Sequence, residues 1–406
     1  SVLGVIGALP MLISEAVPVG FTDAVFESVS GLTTTGATVL SDLDDLPKSM
    51  LFYRQQLQWL GGMGVIVLAV AILPMLGIGG MQLYKAEIPG PMKESKLTPR
   101  IAETAKALWY VYLAITIACA LAYWLAGMTL FDAICHSFST VSTGGFSTHD
   151  ASMAYWNSTP IDIIATVFML IGGISFALHF AVWRGKTLLA YLQDPECRFF
   201  LGLMLLYMLM VGGGLLVFGI HEEPGEATRH AAFQVASFGT GTGLTSTNAA
   251  AWPGFIPLLL VLTSFIGGCA GSTAAGMKVV RAALVFRHSI RELRRLIYPN
   301  GVFALRFGKH VVNDRVLQAV WGFVGVYITL SVIFTLLFTM TGMDLTTAVS
   351  AVAASINNLG VGIGQVGGGF ANITDEAKWM MTLLMLLGRL EIFTFLVLFT
   401  PLFWRQ

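Results

Sequence analysis

Charge is what this chain has least of. Only 11% of its 406 residues are Asp, Glu, Lys or Arg, while 55% are hydrophobic and the mean hydropathy is +0.75. Soluble proteins carry about 25% charged residues, so the water-facing surface of a globular protein of this size is excluded and the chain reads as a membrane protein. Neither sign dominates, because 23 Lys and Arg offset 23 Asp and Glu. No global charge recruits nucleic acid, and any functional charge must lie in its distribution. Cysteine is scarce as well. Cys119, Cys135, Cys197 and Cys269 are scattered without a C-x-x-C pair, which excludes a disulfide framework and a cysteine metal site and leaves packing. The seven histidines have no ligand spacing, and no Walker A motif occurs. An intramembrane hydrolase would have to rest on Ser272 and His179, but Ser272 lies in AGSTAAG rather than G-x-S-x-G. The sequence Gly362-x-Gly364-x-x-Gly367 matches a dinucleotide fingerprint with neither a strand before it nor a βαβ unit after it, so it reads as loop. The chain is not expected to be an enzyme.

What is present in abundance is long apolar sequence. Runs near the 20-residue span of a bilayer helix cover 57–76, 108–126, 161–183, 199–220, 255–287, 316–340 and 377–404. A shorter run at the start, Ser1 to Ile13, reads as the end of an eighth helix. The connectors alternate in charge. Segments 77–107, 184–198 and 281–315 hold 5, 3 and 8 Lys/Arg, whereas 15–56, 127–160, 221–254 and 341–378 hold only Lys48, Arg54, Arg229 and Lys378. The positive-inside rule puts the first set in the cytosol. The second set carries 14 acids; these are either ordinary solvated residues or a means of concentrating cations at an outer mouth.

Those outer segments are too long for turns and too apolar for solvated loops. Each holds a half-length helix and then a Gly/Thr/Ser stretch: Asp23-AVFESVSGLTTTGAT, Asp132-AICHSFSTVSTGGFS, RHAAFQVASFGTGTGLT and Asp344-LTTAVSAVAASINNLGVG. Aligned on Ser30, Ser139 and Ser237, the first three bring Gly36, Gly145 and Gly243 into register; the fourth is expected to need a one-residue deletion to bring in Gly360. A second landmark follows after 24 to 28 residues: Gly61-Gly62, Gly172-Gly173, Gly267-Gly268 and Gly388-Arg389. The chain therefore reads as an all-α polytopic protein of four tandem helix/pore-loop/helix repeats, 1–76, 77–183, 184–287 and 288–406, around a pseudo-fourfold pore. Gly-rich backbone at membrane depth survives only inside protein or along a wet path. Close helix packing of the G-x-x-x-G kind accounts for one such loop but not for four in register. Carbonyls freed by glycine, hydroxyls of Thr33, Thr34, Thr35, Ser142, Thr143, Thr240 and Thr242, and half-helices pointing their negative C-terminal ends inward suit a large monovalent cation. Asp23, Asp132 and Asp344 are expected as the N-caps of those half-helices.

The motifs TTTGAT, STGGFST, GTGTGLTST and NNLGVGIG, with their GG and GR partners, resemble the Trk/Ktr/HKT superfamily of potassium transporters, closest to the bacterial TrkH type, over nearly the whole chain. The resemblance implies potassium uptake through a single-chain likeness of a tetrameric potassium channel in the bacterial inner membrane. It also implies potassium as the bound substrate, no organic cofactor, a homodimer, and gating by a cytosolic nucleotide-binding subunit of the RCK type. Carried over by position, the filter is Thr34, Thr35 and Gly36; Thr143, Gly144 and Gly145; Gly241, Thr242 and Gly243; and Asn358, Leu359 and Gly360. Serine at the first filter glycine would admit sodium, so Gly36 argues for potassium. The fourth loop departs from the pattern, since NNLG lacks a Thr before its glycine.

Within FIGGCAGSTAAGMKVV, the residues Gly267, Gly268, Gly271, Ser272, Thr273 and Gly276 should break the second helix of the third repeat in mid-membrane. The resemblance makes that break a loop obstructing the pore below the filter. Arg389 stands where the other repeats have glycine, deep in apolar sequence, and needs a protein or water partner. It is expected to bond carbonyls of the 267–277 loop and to repel cations in the closed state; the alternatives are a snorkelling Arg or one paired with Glu391. A symporter coupled to sodium or protons is the rival transport mode, with Glu391 as its candidate acid. The basic connector from Arg281 to Arg315 exceeds what orientation needs, and either docks the regulatory subunit or binds anionic lipid.

Overall fold

A computed structural model describes residues 2–14, 17–67, 101–221, 223–308 and 310–397. The connector 77–107, apart from its last residues, and the ends of the runs 57–76 and 377–404 lie outside them. Among the described residues sixteen α-helices follow one another: α1 Val2–Ile13, α2 Phe21–Leu32, α3 Lys48–Val67, α4 Ile101–Leu125, α5 Leu130–Ser142, α6 Thr159–Gly173, α7 Phe176–Gly185, α8 Leu189–Gln193, α9 Pro195–Val217, α10 Pro224–Thr240, α11 Ile256–Ile266, α12 Val279–Ile297, α13 Asp314–Met340, α14 Leu345–Ile356, α15 Asp375–Arg389 and α16 Ile392–Val397. A small antiparallel hairpin, β1 Arg306–Phe307 with β2 His310–Val311, interrupts the basic connector.

The half-helices are α2, α5, α10 and α14. Each packs on helices of its own repeat and also on an inner helix of the repeat before: α5 on α3, α10 on α6, α14 on α11, and α2 on α15. The last of these joins the fourth repeat to the first, so the array closes into a ring. Apolar cores accordingly form at the junctions. Phe26 and Met50 from one end of the chain share a core with Phe338 and Met385 from the other. The outward faces stay apolar, with Ile117 and Leu121 on α4, Leu205 and Leu209 on α9, and Ile328 and Val332 on α13 all exposed. Lengths and hydropathy let α4, α9 and α13 each cross a bilayer.

Local chemistry sets the helix starts, in one respect differently from expectation. Asp344 does cap α14, accepting from the Thr347 N–H (3.1 Å). Asp23 and Asp132 are not caps; they lie in the first turn, behind Gly20 and Thr129. The Thr129 hydroxyl accepts from the Asp132 N–H (3.1 Å) and donates to its carboxylate (2.6 Å). A carboxylate one turn in still faces the positive end of the helix dipole.

Three spans depart from straight helices. The run 255–287 breaks between α11 and α12, where its glycines predicted a break. The run 161–183 breaks too, with α6 and α7 at 96°, because the carbonyls of Gly172 and Gly173 accept bonds from Thr273 and Cys269 (3.3 and 2.8 Å) instead of from the next helical turn. In the third, α15 stops at Arg389, where Glu391 turns left-handed (φ 55°) and its carboxylate takes a hydrogen bond from Arg281 (3.0 Å) rather than from Arg389.

Candidate functional site

Each half-helix ends in the same backbone figure. The residue before each landmark glycine donates its N–H back into the helix: Thr35 to Ser30, Gly144 to Ser139, Thr242 to Ser237 (2.8 Å each) and Leu359 to Ala354 (2.9 Å). The residue before that is left-handed in all four, at Thr34, Thr143, Gly241 and Asn358, and so are Gly36, Gly145, Gly243 and Gly360, with φ of 80, 84, 78 and 73°. The expected one-residue deletion is unnecessary: the fourth loop falls into step on Ala354, which takes the place of a serine.

The four loops meet edge to edge. A Cβ added at Gly36 would strike the carbonyl oxygen of Gly144; at Gly145, that of Thr242; at Gly243, that of Leu359; and at Gly360, that of Thr35. Each landmark glycine thus abuts the residue preceding the next one, in the order first, second, third, fourth and back to first. Left-handed φ and the missing Cβ are both required here, which only glycine satisfies without strain. The paired glycines below serve the same closeness. A Cβ on Gly61 would strike the Leu32 carbonyl and one on Gly388 the Ile356 carbonyl, each at the end of its own half-helix.

Polar side chains brace the loops from behind, and these were missed in the sequence. Arg54, counted there as an outer-loop cation, is a fully buried residue of α3 and pairs with the fully buried Glu27 of α2 (2.6 Å). Glu27 also accepts from the Val39 N–H and the Thr38 hydroxyl (both 3.0 Å). At the matching positions His136 bonds Ser147 (3.0 Å) and Gln234 donates to the Thr247 carbonyl (3.1 Å). The signal was available: a carboxylate and a guanidinium in apolar half-helix and span demand partners. In the fourth loop, Asn357 donates to Ser264 (2.9 Å) and accepts from Tyr327, while Asn358 donates to Thr35 (2.8 Å).

Residues 267–276 lie against the second and fourth repeats. Gly267, Gly271 and Gly276 are left-handed (φ 73, 73 and 82°), and Gly268 sits against the Gly173 carbonyl. The Thr273 hydroxyl lies 3.0 Å from the carbonyls of both Val141 and Gly172, and Ser272 donates to Cys269 (2.6 Å). Arg389 donates from Nη1 to the Thr273 carbonyl (2.8 Å), and its buried Nε and Nη2 have no partner among the described residues. His179, the base that a hydrolase would need, is held by the Tyr191 hydroxyl (2.7 Å) and the Ile171 carbonyl (2.9 Å).

At the outer surface Lys48 lies over the Phe131 ring (5.5 Å to its centroid), and two other cations meet acids across junctions. Lys378 meets Asp23 (2.7 Å), joining the fourth repeat to the first, and Arg229 meets Asp162 (2.7 Å), joining the third to the second. His149 bonds Asp44 and lies stacked on Tyr155 (3.6 Å between centroids).

These features define a polytopic all-α membrane protein in which four re-entrant loops converge on one axis. A family model described as TrkH, cation transport protein, matches residues 1–405. The Trk system potassium uptake protein TrkH of Vibrio parahaemolyticus serotype O3:K6 is 55% identical over 408 residues, spanning 100% of this chain and 84% of that protein. Its counterpart in Escherichia coli strain K12 is 51% identical over 406 residues, with the same coverage, 100% and 84%. The Trk system potassium uptake protein TrkG of that strain is 44% identical over 402 residues, covering 99% and 83%. The crystal structure of the potassium transporter TrkH from Vibrio parahaemolyticus matches with a TM-score of 0.91 at 52% identity, covering 100% of this chain and 83% of that one. The chain belongs to the TrkH cation transport family, and it is an integral protein of the bacterial inner membrane.

Proposed function

We propose that this protein takes up potassium through a channel-like path along the axis of the loop ring, with Thr34–Gly36, Thr143–Gly145, Gly241–Gly243 and Asn358–Gly360 as its selectivity filter. The observation that carries the reading is the closed cycle of glycine against carbonyl, each loop fitted to the next with eight left-handed residues at matching places. Such alternation lets successive carbonyls point one way and replace an ion's hydration shell. The relatives are named as potassium uptake proteins, which are transporters and not enzymes. Their substrate and the glycine at position 36 both favour potassium as the ion.

Below the filter, residues 267–276 form the gate, pinned to α6 and held by Arg389, whose charge repels cations on the axis. Glu391, the acid a coupled symport would have to load, is engaged by Arg281 (3.0 Å), so the channel-like mode is preferred. The gate runs directly into α12, where exposed Leu293, Leu296 and Tyr298 lie beside Arg294 and Arg295. We assign this cytosolic face to a nucleotide-binding regulatory subunit, acting on a homodimer.

The deciding experiment is the flux ratio of potassium, rubidium and sodium in proteoliposomes. Gly36→Ser should lower the potassium-to-sodium ratio by about tenfold, the effect of about 1.4 kcal/mol between the two ions. An unchanged ratio removes Gly36 from the filter.

A further inference from the structure

We infer that Arg54 and Gln58, with Glu27, are positioning residues that set the ion selectivity of the ring by clamping its first loop to its second; this rests on the filter reading above. Arg54 and Gln58 lie four apart on α3 and so share a face. Both are fully buried, and both reach out of the first repeat.

Arg54 holds the first loop through Glu27 (Nε to Oε1, 2.7 Å) and Thr38 (Nη2 to Oγ1, 3.0 Å), and the second through the Ser147 carbonyl (3.4 Å) and the Phe146 ring, 4.3 Å from its guanidinium carbon. Gln58 grips the second loop by both ends of its amide. Its Nε2 donates to the Gly144 carbonyl (2.6 Å), and its Oε1 accepts from the Phe146 N–H (3.1 Å). That Gly144 oxygen is the one against which Gly36 packs. One helix face therefore fixes the register of both loops at their point of contact.

The clamp has no equal elsewhere in the ring. Counted back from the paired landmarks Gly61, Gly172, Gly267 and Gly388, the position of Arg54 holds Ala165, Leu260 and Met381 in the other repeats, and that of Gln58 holds Met169, Ser264 and Met385. Of these, Ser264 makes a bond across a junction, to Asn357 (2.9 Å). At these two positions the other three inner helices thus offer no charged or amide side chain, and the ion pairs that do cross their junctions, Arg229 with Asp162 and Lys378 with Asp23, lie at the outer surface rather than against a filter loop. The first junction is the stiff reference against which the other loops are packed. Discrimination against a smaller ion needs the carbonyls kept from closing around it, and a side chain that holds loop spacing controls this without touching the ion.

The test compares three variants in proteoliposomes, normalised to the amount of folded dimer or monomer recovered by gel filtration. Glu27→Gln alone strands a buried guanidinium and is expected to fold poorly. The paired variant Glu27→Gln with Arg54→Met removes both charges together, and Gln58→Met removes the amide with little change in volume. The paired variant and Gln58→Met should each be recovered in normal amount, with a potassium-to-sodium flux ratio lowered by about tenfold and potassium flux itself changed far less. A purely structural role predicts the opposite pattern, with recovery restored in the paired variant and the ratio restored with it; that result overturns the inference. Gly145→Ser serves as the control. If it collapses the ratio while both clamp variants keep theirs, the clamp is refuted and the filter stands. If the ratio survives in all of them, filter and clamp fall together.

Discussion

The outer and inner halves of the axis are built on opposite plans. In the outer half one backbone figure is made four times from four different sequences, TTTG, STGG, TGTG and NNLG, and at each junction glycine faces a backbone carbonyl of the next loop. In the inner half the paired landmarks recur, but among the described residues the structures that follow them differ from repeat to repeat. A single loop from the third repeat fills the break in the second, and a single Arg from the fourth caps it at Thr273. On the filter reading proposed above, a multi-site cage for one spherical ion needs equivalent oxygens on all sides, which accounts for fourfold symmetry in the backbone of the outer half. On the proposed gate reading, an obstruction that must shift as one body needs only one copy, and additional copies would have to move in concert.

That contrast breaks first at the ring. Gly243→Ala puts a Cβ against the Leu359 carbonyl on a residue with φ of 78°. Strain of about 1–3 kcal/mol per forced residue corresponds to about a five- to hundredfold fall in potassium flux. The symmetric plan requires Gly145→Ala and Gly360→Ala to act alike; a position that tolerates alanine would show that the ring is not equivalent there. The inner half should answer in the other direction. Arg389→Ala removes the charge-assisted bond to Thr273, worth about 1.5–3 kcal/mol, and should raise potassium flux about tenfold or more with the ion ratio unchanged. Equal flux in the variant and the parent protein excludes Arg389 from the gate.

Between these lies the outer clasp. Lys378→Met leaves Asp23 without its partner across the junction of the fourth and first repeats. Lys378 is buried, but Asp23 stays partly exposed and can rehydrate, so stability should fall by only about 1 kcal/mol, read as a lower apparent Tm in detergent, while the ion ratio stays constant. A change of ratio here would mean that selectivity is spread over the outer rim rather than confined to the ring and its clamp.

The two plans were unequally legible in the sequence. Glycine at a left-handed contact has no substitute, so Gly36, Gly145, Gly243 and Gly360 printed the ring directly, and small residues packed between 267 and 276 printed the inner break. Ile174 and Ser175, where α6 meets α7, carry no breaker signal; the turn there is enforced by Cys269 and Thr273, about a hundred residues downstream, through bonds that no local pattern encodes. Arg54 was misread for a related reason. Hydropathy treats a buried cation at the start of a span as loop, so α3 was expected to begin near 57 and in fact begins at Lys48. The fourth loop seemed out of step only because Ala354 holds by its backbone the place that a serine holds in the others.

The smallest expected effect is at the outer surface, where the first loop's far end, residues 42–45, is tied to the second repeat. His149 donates to Asp44 from Nδ1, with Asp132 3.7 Å from its Nε2, and Asp150 accepts from the Leu43 N–H (2.8 Å). The hydrogen bond from His149 holds the Asp44 carboxyl below the usual carboxylate range. A carboxyl depressed on folding stabilises only while it is ionised, so the tie is at full strength above the unfolded value of about 3.9 and is lost as pH falls through the lower folded value. Asp150 runs the other way, since burial raises its carboxyl, and its ionised form is the one that folding disfavours. Between pH 7 and 5, then, the Asp44 tie should not change. Amide exchange at Leu43 and Leu46, corrected for intrinsic rates, should be slow in the parent protein at pH 6 and faster near pH 3, whereas Asp44→Asn should exchange fast at both. Parent and variant exchanging equally at pH 6 would show that the tie contributes nothing, and that the symmetric ring needs no fastening at its outer edge.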